Sequence, residues 1–277
     1  MPKFKESPES IFLYWVKERE LIRKLRNKGK PKPWTNDPIL QTYRFCNVRR
    51  MDDSVSQWLM KQWYKPNYGH SNTLIACALA RHINLPSTLS QVGFPEEWNP
   101  TQIKEIVRDI QKSNNTAYNS AYMVRGIETA DKIEMIVDRV IQPLVDNPPT
   151  INTNSIEQTV DSLLSYWGFS TFMAGQTVAD MRWATPGKWK DKRKWAAIGP
   201  GSRRGINRLF SRKVKGGLTQ KEFNPELQYV IDMVDYNLPE VGERLEAIDV
   251  QNCLCEFDKY MRVKLGEGRP KRKGDYK

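Results

Sequence analysis

Apolar residues along this chain recur at steps of three and four, the spacing that puts one stripe on a helix. Ile11, Tyr14, Trp15, Leu21, Ile22 and Leu25 predict a first helix over residues 8–28, stopped by Gly29 and followed by an extended linker through Pro31 and Pro33. Asp37-Pro38 reads as an N-cap followed by Pro at the first helical position, where its missing N–H is not needed. A long helix to about residue 64 is expected after it. Further stripes are Ile103, Ile106, Val107 and Ile110, then Ile133, Ile136, Val137, Val140, Ile141 and Leu144, ended by Asn147-Pro148-Pro149. Ile156, Val160, Leu163 and Leu164 follow, with Asn154 or Ser155 as cap. Leu227, Val230, Ile231 and Val234 mark a late helix, and residues 250–265 the last. Strand-like alternation is almost absent, and no repeat recurs at a fixed period. The pattern predicts an all-α, multi-helix globule. The prolines at 148 and 149 divide it into lobes at 1–147 and 150–266, acting as one functional unit, with a flexible basic tail over 267–277.

Composition narrows the function. Among 277 residues, 39% are hydrophobic, enough for a real core, and Lys plus Arg exceed Asp plus Glu to leave a formal charge of +12. That surplus favours a polyanionic partner, nucleic acid above all. It concentrates in residues 188–194, 203–215 and 269–277, interleaved with Trp183, Trp189, Trp195 and Phe210. Cations hold phosphates without regard to sequence, and aromatic plates can hold an unstacked base. Trp189 stands among five charges and is the hardest of the nine Trp to bury. No run approaches a membrane span, and no signal-like apolar stretch follows the first residues. Four scattered Cys suit a reducing compartment better than a disulfide framework or a zinc site.

Absent motifs exclude several chemistries. There is no P-loop and no Gly-x-Gly-x-x-Gly after a strand. His70 and His82 are not spaced as metal ligands, and Cys253-x-Cys255 points its thiols to different helix faces. An enzyme of this composition would work through carboxylates, amides and cations.

Four segments carry such groups. In the first, running from Trp34 and Asp37 to Arg49 and Arg50, a helix would align Arg44 and Asn47 on an apolar stripe, as a structural network or a substrate contact, and would space Arg49 and Asp53 for a surface pair. In the second, Phe172, Gln176 and Asp180 rise along one face beside Gly175, where the Gln and Asp can read a base edge or orient an amine nucleophile, or serve a close helix crossing. In the third, Gly199-Pro200-Gly201-Ser202-Arg203-Arg204, Ser202 caps a helix whose first turn adds two guanidiniums, an arrangement suited to a phosphate or pyrophosphate. This turn is similar to the hairpin of helix-hairpin-helix DNA binders, which allows a glycosylase-like helical fold. In the fourth, Asn252, Glu256 and Lys259 share a stripe beside Asp258 and Arg262. A carboxylate beside a lysine can take a proton from an amine. Spacing alone equally describes a solvated Glu256–Lys259 pair.

The segments from Pro33 to Leu40 and Tyr43 to Arg50, the Gly199–Arg203 turn and the Asn252–Arg262 helix together resemble the helical thymine-hypermodification proteins of bacteriophages, described as α-glutamyl/putrescinyl-thymine pyrophosphorylases. These are similar to the helical domain attached to some 5-hydroxymethyldeoxyuridine DNA kinases. The resemblance spans roughly residues 10 to 270. It implies an amino acid:DNA transferase that displaces pyrophosphate from 5-pyrophosphoryloxymethyl-deoxyuridine in the cytoplasm of an infected host. Family members fused to a P-loop domain serve the kinase step, and the absence of a P-loop here argues for the transferase.

The implied partners are double-stranded DNA carrying modified thymine and a free amino acid, with no membrane. The catalytic candidates are Asp180, Glu256, Asp258 and Lys259. The substrate and DNA contacts are Trp34, Asp37, Arg44, Asn47, Arg49, Arg50, Gln176, Trp189, Ser202, Arg203, Arg204, Asn252 and Arg262. No residue set is read as a metal site, although Mg²⁺ bridging the pyrophosphate is compatible with the reaction. Two other readings stay open: a non-catalytic DNA-binding partner of a kinase, and a glycosylase-like base-processing enzyme.

Overall fold

Local chemistry starts several of the helices where the sequence marks them, at Ser7-Pro8, Asp37-Pro38 and Ser155. The computed structural model describes residues 7–119, 131–268 and 270. Among these the chain is all-α, with no strand. The described chain divides into two compact units, one of Met1–Asp53 with Lys192–Lys277 and one of Ser54–Asp191. Pro148 and Pro149 lie inside the second unit. Most of the predicted tail, residues 269 and 271–277, falls outside the described residues.

The first unit begins with α1, Pro8–Asn27, whose Ser7 cap accepts from the Ser10 N–H. Phe12, Trp15, Val16 and Ile22 are buried along it, whereas Tyr14 and Leu21 stay exposed. The short α2, Pro38–Thr42, is capped by the Asp37 side chain, which accepts from the N–H groups of Ile39 and Leu40. The expected long helix does not continue from there. The chain is non-helical from residue 43 to 49, makes one 3₁₀ turn at Arg50–Asp52 and then enters the second unit.

That second unit holds α3 (Ser54–Trp58), continued by a π turn Leu59–Tyr64, then α4 (Thr73–Ile83), α5 (Pro86–Val92) and α6 (Pro100–Lys112). Next come α7 (Lys132–Glu134), a second π turn Met135–Ile141, α8 (Gln142–Asp146), α9 (Ile156–Leu163) and α10 (Thr171–Ala184). The second π turn leads into Pro143 at the start of α8, where a proline has no N–H to contribute. Ser155, one of the two predicted caps, accepts from the Gln158 N–H. Helix α4 is buried almost throughout and packs on α10.

On returning to the first unit the chain forms α11 (Pro200–Leu209), α12 (Gln220–Asn237), α13 (Pro239–Gly242) and α14 (Ala247–Lys264). The core here gathers Phe12, Phe223, Leu227, Ile231, Leu254 and Phe257, all at most 2% exposed. Each such side chain contributes roughly 1.5–3 kcal/mol of hydrophobic stabilisation. Helices α11 and α14 cross in the closest helix contact of the first unit. A Cβ on Gly205 would fall 2.6 Å from the Leu254 carbonyl carbon, and one on Gly201 would fall 3.1 Å from the Cys255 Cβ. Only glycine lets the two backbones approach this far.

Candidate functional site

The segment from Tyr43 to Arg50 is non-helical because side chains, rather than a helical ladder, satisfy its backbone. Glu256 of α14 accepts the Cys46 N–H (3.0 Å), Asp53 the Asn47 N–H (2.8 Å) and Asp249 the Arg50 N–H (2.8 Å). Arg19 of α1 donates to the carbonyls of Cys46 and Phe45 (both 3.1 Å) and to Asn47 Oδ1 (3.3 Å). The Asn47 amide donates to the Asp52 carbonyl (2.7 Å). Buried backbone groups need partners, and here they come from distant helices.

The face that was to hold Arg44 and Asn47 together therefore does not exist. Arg44 is exposed, Asn47 is buried, and the guanidinium that binds this segment's carbonyls is that of Arg19. Arg49 is half-buried, and Asp53 bonds the backbone of Asn47 rather than forming the helical pair expected with Arg49. Burial raises the Asp53 carboxyl to about 6 against the pull of the Asn47 N–H, and burial lowers the Arg19 guanidinium despite Cys46 and Glu256 nearby.

Helices α11 and α14 carry the densest charge. Asp258, with no exposed surface, accepts from Arg204 Nε (2.8 Å) and Arg208 Nε (2.9 Å) and lies 3.5 Å from Arg262 Nε. Arg208 also pairs with Glu267. Three guanidiniums thus face two carboxylates, and positive charge remains. Arg204 and Arg262 are each about a third exposed. Arg204 gives Asp258 only its Nε, and its terminal amino groups make no hydrogen bond to described residues. Arg203 and Asn252 each hold a buried donor, Nε and Nδ2, without a partner among described residues.

Ser202 is the third residue of α11 rather than its cap. Its Oγ accepts the Gly199 N–H (2.9 Å) and the Gln251 amide (3.0 Å), because Pro200 starts the helix earlier than the basic run suggested. The Glu256–Lys259 pair is buried at its carboxylate end, while Lys259 stays about a third exposed. Glu256 is 1% exposed and divides its oxygens between Lys259 and the Cys46 N–H. Burial works against the Lys259 ammonium, but the Glu256 charge outweighs it and holds the proton more tightly than usual. Burial pushes the Cys46 thiol well up and that of Cys255 to about 11, with Glu256 adding to both. These cysteines are packing groups, as are the buried Cys77 and Cys253.

Asp37 does more than cap α2. Its second oxygen accepts from Tyr260 (2.8 Å) and Tyr14 (3.3 Å), at the edge of a cleft of about 490 Å³ that Asn36 and Lys264 also line. Trp34 donates its indole N–H to the Lys30 carbonyl (2.6 Å), and the Lys32 ammonium lies 5.3 Å over its ring.

In the second unit Asp180 is fully buried. It accepts from Tyr64 Oη (2.7 Å) and pairs with Arg81 of α4. Burial pushes the Tyr64 phenol well up, with the Asp180 charge second. Gln176 and Thr177 are buried beside this triad on α10, and the Thr177 hydroxyl has no partner among described residues. His82 bonds the Ala78 carbonyl through Nδ1 (2.8 Å), and burial lowers it to about 4, so it is neutral at pH 7.

Trp189, expected as an exposed plate, is 4% exposed and donates to Thr185 Oγ1 (2.9 Å). Its neighbours Lys188 and Lys190 are exposed, whereas Asp191 turns inward and accepts the Ile156 N–H (2.8 Å). Asp180, Gln176 and Trp189 thus belong to the second unit and Glu256, Asp258 and Lys259 to the first. Sequence reasoning missed Arg19, Arg208, Asp249 and Tyr260 in the first unit and Tyr64 and Arg81 in the second. Only Arg208 had a local signal, four residues after Arg204 on the same face.

Among the described residues no three His, Cys, Asp or Glu side chains converge as metal ligands, and no helix is long and apolar enough to cross a membrane.

Residues 8–269 match the family model of the 5-hmdU DNA kinase helical domain. A 5-hmdU DNA kinase of Bacillus phage SP10 is 23% identical over 91% of this chain, which spans 44% of that relative's length. No solved structure matches the chain.

Proposed function

This chain belongs to the family of the 5-hmdU DNA kinase helical domain, and from that premise we propose that it acts in phage thymine modification as an amino acid:DNA transferase. The observation that carries this reading is the arginine cluster on α11 and α14. Arg204, Arg208 and Arg262 converge on buried Asp258 with positive charge to spare and with Arg204 and Arg262 reaching solvent. Preorganised guanidiniums of this kind suit a leaving pyrophosphate. In the proposed step the amine of an amino acid attacks the 5-methylene carbon of the modified base. The carbon–oxygen bond breaks, its electron pair leaves with pyrophosphate, and the nitrogen gives up its proton to pyrophosphate or solvent. Asp258 acts as a positioning residue for the arginines, and Glu256, through Lys259 and the Cys46 N–H, fixes the segment beside them. Double-stranded DNA carrying modified thymine and a free amino acid are the partners, in the host cytoplasm.

One observation favours a second reading. Asp180, Glu256 and Asp258 are each at most 1% exposed and engaged with cations, which suits a DNA-binding module serving a kinase better than a general base.

Nucleoside mass spectrometry after incubation with DNA carrying 5-pyrophosphoryloxymethyluracil and pooled amino acids separates the readings. A nucleoside heavier by an amino acid, with pyrophosphate released, supports the transferase. Unchanged nucleosides with tight DNA binding favour the module, and loss of the base a glycosylase. Phosphorylation of 5-hmdU DNA with ATP would assign the kinase step instead.

A further inference from the structure

The second unit contains a cleft of about 300 Å³ that no part of the reading above uses. It is lined by the aromatic Trp58, Trp63 and Phe94, by Leu89, and by the polar Gln62 and Ser90. The Trp58 and Trp63 ring centroids lie 6.3 Å apart at 35°, and Trp63 meets Phe94 edge-on at 5.7 Å. Trp63 is fixed, 2% exposed, with its indole N–H bonded to the Ala76 carbonyl (3.3 Å). Trp58 and Phe94 are half-buried and keep ring surface open. Gln62 and Ser90 are exposed and bond no described residue. Gly93 sits at the mouth with φ +77°, and nothing lies within 4 Å of where its side chain would be.

We propose that this cleft holds an unstacked pyrimidine base of DNA, stacked on Trp58 with its Watson–Crick edge toward Gln62. Three features select a base over an apolar side chain of a protein partner. The Gln62 amide offers one donor and one acceptor side by side, the complement of a pyrimidine's carbonyl and ring N–H. The volume is at the small end of ligand sites, room for a base and not for a helix. Residues 54–95, which form the whole cleft, contain no Asp or Glu, and Lys61 and Lys65 stand exposed on the same turn, so a phosphate backbone meets cations and no carboxylate from this segment. Glu96 and Glu97 lie just beyond it. The proposal rests on DNA being the substrate. It moves the base-holding role from Trp189, which is buried, to Trp58.

The test uses the full chain and a short fluorescein-labelled single strand with one central 5-hydroxymethyluracil, compared with the same strand abasic at that position. Stacking of one base is worth about 1–3 kcal/mol, so Trp58→Ala is expected to weaken binding of the first strand by roughly 5- to 150-fold. Trp58→Phe should keep most of the affinity. The abasic strand should bind wild type and Trp58→Ala alike, with the same salt dependence. Gln62→Ala, an exposed change that leaves folding intact, should cost several-fold on the base-bearing strand alone. Equal binding by folded Trp58→Ala and wild type, or equal losses on both strands, overturns the cleft assignment. Failure of wild type to bind either strand, alone or annealed to its complement, overturns the DNA reading itself.

Discussion

The crossing of α11 and α14 sets the positions of Arg204, Arg208 and Asp258, so a small wedge there should be felt at the arginine cluster. Gly205→Ala is the sharpest wedge. In an open helix this change stabilises by about 1 kcal/mol, because alanine orders more cheaply than glycine. Here the new Cβ would sit 2.6 Å from the Leu254 carbonyl carbon and 3.1 Å from its Cα. Carbon atoms at optimal separation are roughly 3.5–4.0 Å apart, so the helices must part by about 1 Å. That displacement would stretch the Asp258 bonds to Arg204 and Arg208, now 2.8 and 2.9 Å, beyond hydrogen-bond range. Overpacking costs typically 1–3 kcal/mol, and the loosened ion pairs add to it. A net destabilisation of about 3 kcal/mol is expected.

The obstacle at Gly201 is different, since the nearest atom there is the Cys255 Sγ, a side-chain atom that can be removed. Gly201→Ala should be partly rescued by Cys255→Ala, whereas Gly205→Ala should gain nothing from Leu254→Ala, because its clash is with backbone. The assay is urea unfolding of the four variants, alongside pyrophosphate binding by calorimetry. A Gly205→Ala protein with wild-type midpoint and wild-type pyrophosphate affinity would refute both the packing and its link to the cluster.

Asp258→Asn should destabilise by about 3 kcal/mol by removing the fully buried counter-charge that Arg204 and Arg208 share, leaving Arg208 only the partly exposed Glu267, and should weaken pyrophosphate binding although the cluster gains net positive charge. Unchanged or tighter binding would show that the carboxylate does not position the arginines. Asp180→Asn should cost a similar amount in thermal unfolding, since Arg81 and Tyr64 both lose a charged acceptor, and wild-type melting would argue against the buried pair. His82 has a folded value of about 4 against roughly 6.5 unfolded, so the unfolded chain binds the proton first as pH falls. Its contribution is intact above pH 6.5 and is lost progressively toward pH 4, about 3 kcal/mol in all. Asp53, raised to about 6, acts in the opposite sense between pH 4 and 6. The informative quantity is therefore the pH dependence of wild type minus that of His82→Leu, and a flat difference would contradict the burial of a neutral imidazole.

The sequence by itself determined the helical class and the course of several helices, because period and caps are local. Ser155 and Asp37 bond N–H groups two or three residues away, and the buried stripes of α6, α12 and α14 are read from neighbours one turn apart. It also marked the arginine turn and the acidic last helix as chemistry. Only the tertiary structure decided where those groups find partners. The residues from 43 to 50 leave the expected helix because Glu256 and Asp249, some two hundred positions away, and Arg19 bind their backbone. Trp189 is buried despite its charged neighbours and bonds Thr185. Glu256, half of a surface pair with Lys259 by spacing, is buried and accepts the Cys46 N–H. Trp58, Trp63 and Phe94 face one cleft although Phe94 lies thirty-one positions past Trp63. Helical period tells which residues share a face. Which face meets which depends on burying apolar surface while pairing every buried donor and charge, and that is settled among residues far apart in the chain.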